Sequence, residues 1–161
     1  MLITDIVEST KRAETLGDRR WRELLDAHND LFRRELTRYR GREIKTTGDG
    51  FLATFDGPGR AIHCALSLIA AVRPLGIEIR AGLHTGEVEH VKSDVRGIAV
   101  HVAARVASQA QAGECLVSRT VKDLVAGADI HFSERGKRDL KGITEPIDLY
   151  AAAGGAHNRP F

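Results

Sequence analysis

The chain has 161 residues with 24 Lys+Arg against 22 Asp+Glu, a formal charge of +2 that lacks the basic stripe of a duplex-binding protein. That length suits one domain with a real core, and no run of about eighteen apolar residues or signal-peptide pattern marks a membrane span or a leader. The expectations are a cytoplasmic domain with no nucleic-acid partner and no membrane contact of its own, although a membrane-anchored parent protein stays open. Cys64 in an apolar helical run and Cys115 in a strand-like run have neither metal-ligand spacing nor a disulfide framework, so both read as small buried hydrophobes.

In chain order, Leu2-Ile3-Thr4-Asp5-Ile6-Val7 reads as a buried aliphatic strand interrupted by one carboxylate. An unpaired charge there costs several kcal/mol, so Asp5 implies a cation or a hydrogen-bonded role. Ser9-Thr10 are good helix-capping residues. A long amphipathic helix is expected from about Arg19 to Arg40, its apolar face made by Trp21, Leu24, Leu25, Leu31, Phe32 and Leu36. Gly41 breaks it.

Next comes Glu43-Ile44-Lys45-Thr46-Thr47-Gly48-Asp49-Gly50-Phe51-Leu52, where Asp49-Gly50 between two β-compatible runs predicts a hairpin. That turn displays an ammonium and a carboxylate together, and an exposed turn aspartate suits a hard cation such as Mg²⁺. Most Asp-Gly turns carry no chemistry, so Asp49 gains meaning only beside Asp5. Beyond the second arm, Phe51 to Phe55, the pattern predicts a helix from Arg60 to Val72, halted by Pro74 and Gly76, then a strand from Ile77 through Leu83 that continues to Val88. A helix over Gly97 to Ala110 carries His101 and Arg105 four residues apart on one face. A strand from Glu114 to Val117, a short helix from Val121 to Val125 and two or three strands ending in Ile147 to Ala151 complete the expected α+β sandwich, a mixed sheet covered by helices. The tail from Gly154 to Phe161 reads as a flexible end, leaving 1–153 as the domain.

Five collinear segments, Thr4 to Thr10, Lys45 to Gly50, Arg80 to Gly86, Asp94 through Val100 to Arg105, and Leu140-Lys141-Gly142, together resemble the ordered motifs of class III nucleotidyl cyclase catalytic domains, the mycobacterial adenylyl cyclases especially. The resemblance covers nearly the whole chain. It implies a ferredoxin-like, palm-type sheet and an adenylyl cyclase that converts ATP to 3′,5′-cyclic AMP and pyrophosphate. It also implies two divalent cations, Mg²⁺ or Mn²⁺, held by Asp5, Asp49 and the Ile6 carbonyl, and a phosphate-binding turn at Val7, Glu8, Ser9 and Thr10. Family members often have glycine where this chain has Glu8. Lys45 and Asp94 match the adenine-reading pair, Arg80 and Lys141 the triphosphate-binding cations, and Arg105 the arginine that stabilises charge at the α-phosphate. His101 stands where many relatives carry asparagine. The loop from Val91 to Asp94 is short for the family, so the match of Asp94 rests on its offset from Arg105.

The resemblance further implies a head-to-tail homodimer with shared sites, Asp5 and Asp49 coming from one subunit and Lys45, Asp94, His101 and Arg105 from the other. Two other readings stay open: a non-catalytic nucleotide-binding or dimerising module on the same scaffold, and, against the Lys45/Asp94 pair, a guanylyl cyclase. A palm-type polymerase or cyclic-di-GMP synthase would share the two-metal logic, but the Arg105 helix and a Lys141 strand motif favour the cyclase.

Overall fold

A computed structural model of the chain describes residues 1–46 and 48–154. A seven-stranded mixed sheet runs in the order β2-β3-β1-β4-β7-β9-β8. Its strands are β1 (Leu2–Ile6), β2 (Arg42–Thr46), β3 (Phe51–Thr54), β4 (Ile79–Leu83), β7 (Cys115–Ser118), β8 (Ile130–Arg138) and β9 (Ile147–Gly154). The helices are α1 (Ser9–Leu16), α2 (Asp18–Arg38), α3 (Pro58–Val72), α4 (Ile98–Gln109) and α5 (Arg119–Leu124). The first four strands, antiparallel to one another in the order β2-β3-β1-β4, form the ferredoxin-like half. The β4–β7 pair is parallel and extends the sheet.

Strand alternation decides which side chains meet which helices. In β1, Leu2, Thr4 and Ile6 are buried while Ile3 and Asp5 are half-buried; in β4, Ile79, Ala81 and Leu83 share one face, leaving Arg80 and Gly82 on the other. Leu2, Ile6, Ile79, Ala81 and Leu83 join the main core with Phe32, Leu36, Ile62, Leu68 and Ile69 of α2 and α3. On the opposite face a smaller core gathers Val102 and Val106 of α4 with Leu116 and Leu149 of the sheet. Asp5 and Arg80 lie on that α4 side. Small residues bring the helix in close: a Cβ on Gly82 would collide with the Ala107 backbone, and Ala99, Ala103 and Ala107 are all buried.

The hairpin is anchored just past its tip. Phe51 is fully buried and stacks on Phe32 of α2 at 3.8 Å between ring centroids, with His28 tilted against both rings. The residue at positive φ is Gly48, not Gly50, so Gly48 supplies the left-handed position of the turn; Thr47 lies outside the described residues.

The expected helices are present, α2 being preceded by a separate α1 that Gly17 divides from it. Three expectations change. The strand β4 stops at Leu83, and residues 84–88 carry no regular structure. The segment from Glu89 to Arg96 is a two-stranded hairpin, β5 (Glu89–Val91) and β6 (Asp94–Arg96), turned at Lys92 with φ 57°. Gly154 pairs with Ile130 at the end of β9, and the rest of the expected flexible tail lies outside the described residues.

Candidate active site

Asp5 and Arg80 are direct cross-strand partners on β1 and β4. The guanidinium grips both carboxylate oxygens, Nε donating to Oδ1 at 2.8 Å and Nη2 to Oδ2 at 2.9 Å. This is the partner that a carboxylate in an aliphatic strand requires. Arg80 is held above the ordinary arginine range, first by those hydrogen bonds and then, against partial burial, by the charges of Asp5 and Asp49. The Asp49 charge thus contributes to the field at Arg80. Among the described residues no three His, Cys, Asp or Glu side chains converge. A cation at this place would depend on two carboxylates completed by backbone and phosphate oxygens, a donor set suited to Mg²⁺ or Mn²⁺.

The turn after β1 divides into used and available donors. The Val7 N–H donates to the Glu78 carbonyl at 2.9 Å, tying the turn to the sheet, so the expectation that Val7 offers its N–H to phosphate is corrected. Ser9 and Thr10 lie in the first turn of α1, where N–H groups have no intrahelical acceptor. Glu8 is the N-cap at φ 55°, ψ 40°, and its side chain makes no cap hydrogen bond. That left-handed backbone is one that glycine adopts without strain. Glu8→Gly relieves about 1–2 kcal/mol of strain against about 0.5–1 kcal/mol of added chain entropy, so thermal unfolding should move little. Removing the carboxylate should lower the nucleotide KM; an unchanged KM in steady-state assays would show that Glu8 points away from phosphate.

A second pairing joins residues 49 apart in sequence. Lys45 of β2 lies 3.3 Å from Asp94 at the start of β6, because the β5–β6 hairpin packs along that edge strand. The Asp94 carboxyl is held below its ordinary range, chiefly by the Val95 backbone N–H at 2.8 Å and further by Lys45. Both side chains are exposed enough to reach a ligand. The short Val91–Asp94 connection that weakened the placement of Asp94 is the tight turn of this hairpin, and it delivers Asp94 to Lys45.

On α4, His101 is exposed and Arg105 half-buried, one turn apart, while Val102 and Val106 face inward. Ile98, near the start of the same helix, is 64% exposed. No hydrogen bond or ion pair of the His101 or Arg105 side chains is formed among the described residues. Lys141 is exposed in a turn between β8 and β9, which corrects its expected strand position. Within the Arg80-to-Gly86 segment the structure separates tasks: Arg80 faces Asp5, Gly82 admits α4, and His84, beyond the other end of β4, hydrogen-bonds the buried Ser118 at 2.6 Å. Burial lowers the His84 pKa to about 4, so that ring is neutral packing.

Cys64 and Cys115 are buried and unpaired, with thiols raised to about 12 by burial, as expected of small hydrophobes. Among the described residues no helix is long and apolar enough to cross a membrane.

This fold is that of a nucleotidyl cyclase catalytic domain. The adenylate and guanylate cyclase catalytic domain family matches residues 1–153, and the chain belongs to that family. A Rhizobium meliloti (strain 1021) protein named as a candidate adenylate cyclase is 32% identical over 149 residues, covering 87% of this chain and 24% of the relative. The chain thus spans about a quarter of that relative's length. The adenylyl cyclase CyaB from P. aeruginosa superposes with a TM-score of 0.87 at 20% identity, covering 99% of this chain and 95% of its own. An adenylate/guanylate cyclase/hydrolase from Silicibacter pomeroyi has a TM-score of 0.79 at 28% identity, with 96% and 95% covered.

Proposed function

We propose that the chain is an adenylyl cyclase catalytic domain that converts ATP to cyclic AMP and pyrophosphate. The observation that carries the substrate assignment is the contact of Lys45 with Asp94. Side by side, an ammonium donor and a carboxylate acceptor complement adenine, whose N1 accepts and whose 6-amino group donates. Guanine presents the reverse pattern on that edge, and mismatched polar groups discriminate strongly.

The reaction is an in-line attack of the ribose 3′ oxygen on the α-phosphorus, with pyrophosphate leaving. Divalent cations held by Asp5, Asp49 and the Ile6 carbonyl would supply activation of the 3′-hydroxyl and neutralisation of the triphosphate. Asp5 already attracts a cationic group into its carboxylate in the form of Arg80, so the residues fit that role. Ser9 and Thr10 offer backbone N–H groups to phosphate at a helix start. Arg80 and Lys141 bind triphosphate oxygens, and Arg105 stabilises the charge that builds at the α-phosphate with fixed guanidinium donors.

Exposed His101 and half-buried Arg105 of α4 have no side-chain partner among the described residues, and exposed Ile98 lies on the same helix. Such a face suits a second copy of the chain. The homodimer then completes two equivalent sites, each with Asp5 and Asp49 from one subunit and Lys45, Asp94, His101 and Arg105 from the other. His101 donates one hydrogen bond to the ribose in place of asparagine. His101→Asn should retain turnover within about threefold, whereas His101→Ala should lose about tenfold, the worth of one hydrogen bond. Full activity of His101→Ala would make the ring packing alone.

The test is incubation of purified protein with ATP or with GTP plus Mn²⁺, products being resolved by chromatography. Cyclic AMP from ATP supports the reading. Nucleotide binding without turnover would favour a regulatory module, and cyclic GMP as dominant product would overturn the base assignment.

A further inference from the structure

The grip of Arg80 on Asp5 has a consequence for the order in which ligands enter. Both carboxylate oxygens are engaged by one rigid guanidinium at 2.8 and 2.9 Å, so a cation approaching Asp5 meets a fixed positive charge and an acceptor site already taken on each oxygen. The arginine is otherwise lightly held: its Nη1 reaches the Ser108 carbonyl only at 3.5 Å, and its side chain is 32% exposed. It therefore has room to turn to another acceptor. Charge counting points the same way. Asp5 and Asp49 with Arg80 leave one net negative charge, whereas two divalent cations added alone would leave an excess of three positive charges in a partly desolvated pocket. A triphosphate removes that excess and offers the guanidinium an alternative bidentate acceptor.

Resting on the cyclase reading above, we propose that Arg80 is an internal counter-ion that occupies Asp5 until nucleotide arrives. Arg80 then transfers to the triphosphate and frees Asp5, so full cation loading waits for substrate. Metal and nucleotide binding are thereby coupled through one side chain, each strengthening the other by the same factor.

The experiment measures Mn²⁺ binding to the purified chain by electron paramagnetic resonance. It uses no nucleotide or saturating 2′,3′-dideoxy-ATP, which lacks the attacking hydroxyl. Without nucleotide, Arg80→Gln should bind Mn²⁺ about tenfold more tightly than the unaltered chain, the scale of a lost charge-assisted contact. The gain should vanish when Asp5→Asn is added. Arg80→Lys, which keeps the charge without the fork, should show a smaller gain of about threefold and decides the matter if Arg80→Gln does not fold. The dideoxynucleotide should tighten Mn²⁺ binding to the unaltered chain more than to either variant. If the unaltered chain binds Mn²⁺ with the analogue but neither variant gains affinity for Mn²⁺ alone, the counter-ion proposal is overturned and the cyclase reading stands. If the unaltered chain binds no Mn²⁺ even with the analogue, the two-cation reading fails and the proposal with it.

Discussion

Asp49→Ala is expected to reduce cyclic AMP formation by about a thousandfold or more while leaving the fold intact. The size follows from the several kcal/mol of transition-state stabilisation that catalytic cations supply and about 1.4 kcal/mol per decade of rate. The fold should survive because the hairpin is secured by Phe51 on Phe32 and not by the half-buried Asp49; a lost near-UV circular dichroism signal would contradict that division. The same variant tests the sharing of sites. Mixed with Arg105→Ala at equal amounts, random exchange makes half the dimers mixed, each with one intact site. Activity should then recover to about a quarter of the unaltered level. If the two variants associate and activity stays at the level of either alone, the carboxylates and Arg105 serve one site within a single chain.

The second large effect concerns the base. Lys45→Glu should lower kcat/KM for ATP by about a hundredfold or more, because it removes the donor to adenine N1 and sets two carboxylates against each other beside Asp94. Adding Asp94→Asn relieves that repulsion and supplies an amide donor for the guanine 6-carbonyl. The double variant should therefore prefer GTP to ATP in kcat/KM. Equal losses for both nucleotides in both variants would mean that the pair holds the β5–β6 hairpin to the edge of the sheet without reading the base.

The sequence revealed most where one chain segment carries its own signal. The 3.6-residue pattern through Trp21, Leu24, Leu25, Leu31, Phe32 and Leu36 made α2 legible, and the observed helix spans Asp18–Arg38. It did not reveal that His28 and Glu35 are also buried on that helix, since both are polar; Glu35 is accommodated by the Ser67 hydroxyl at 2.8 Å. The β5–β6 hairpin escaped notice because Val91 and Val95 are the only aliphatic residues in Glu89–Arg96, too few to show alternation.

Collinear motifs nominated candidate site residues, and the family resemblance set Lys45 beside Asp94, but the contacts themselves were not legible. Asp5 could be seen to need a partner; that the partner is Arg80 depends on antiparallel register between strands 75 residues apart. Glu8 stood out in the sequence only as a departure from the glycine common in the resembled family, and its left-handed backbone is a position that glycine adopts without strain. Val7 passed for a phosphate donor because the use of its N–H by Glu78 is a tertiary fact. The contact of Lys45 with Asp94 likewise needed a hairpin to carry a carboxylate back to the sheet edge.

The most direct measurement is a competition in which the purified chain and Mn²⁺ receive equal ATP and GTP, with cyclic nucleotides and pyrophosphate quantified together. Cyclic AMP should form in clear excess over cyclic GMP, with one pyrophosphate for each cyclic nucleotide. Nucleotide consumption without cyclic product, or cyclic GMP as the main product, would contradict the adenylyl cyclase assignment.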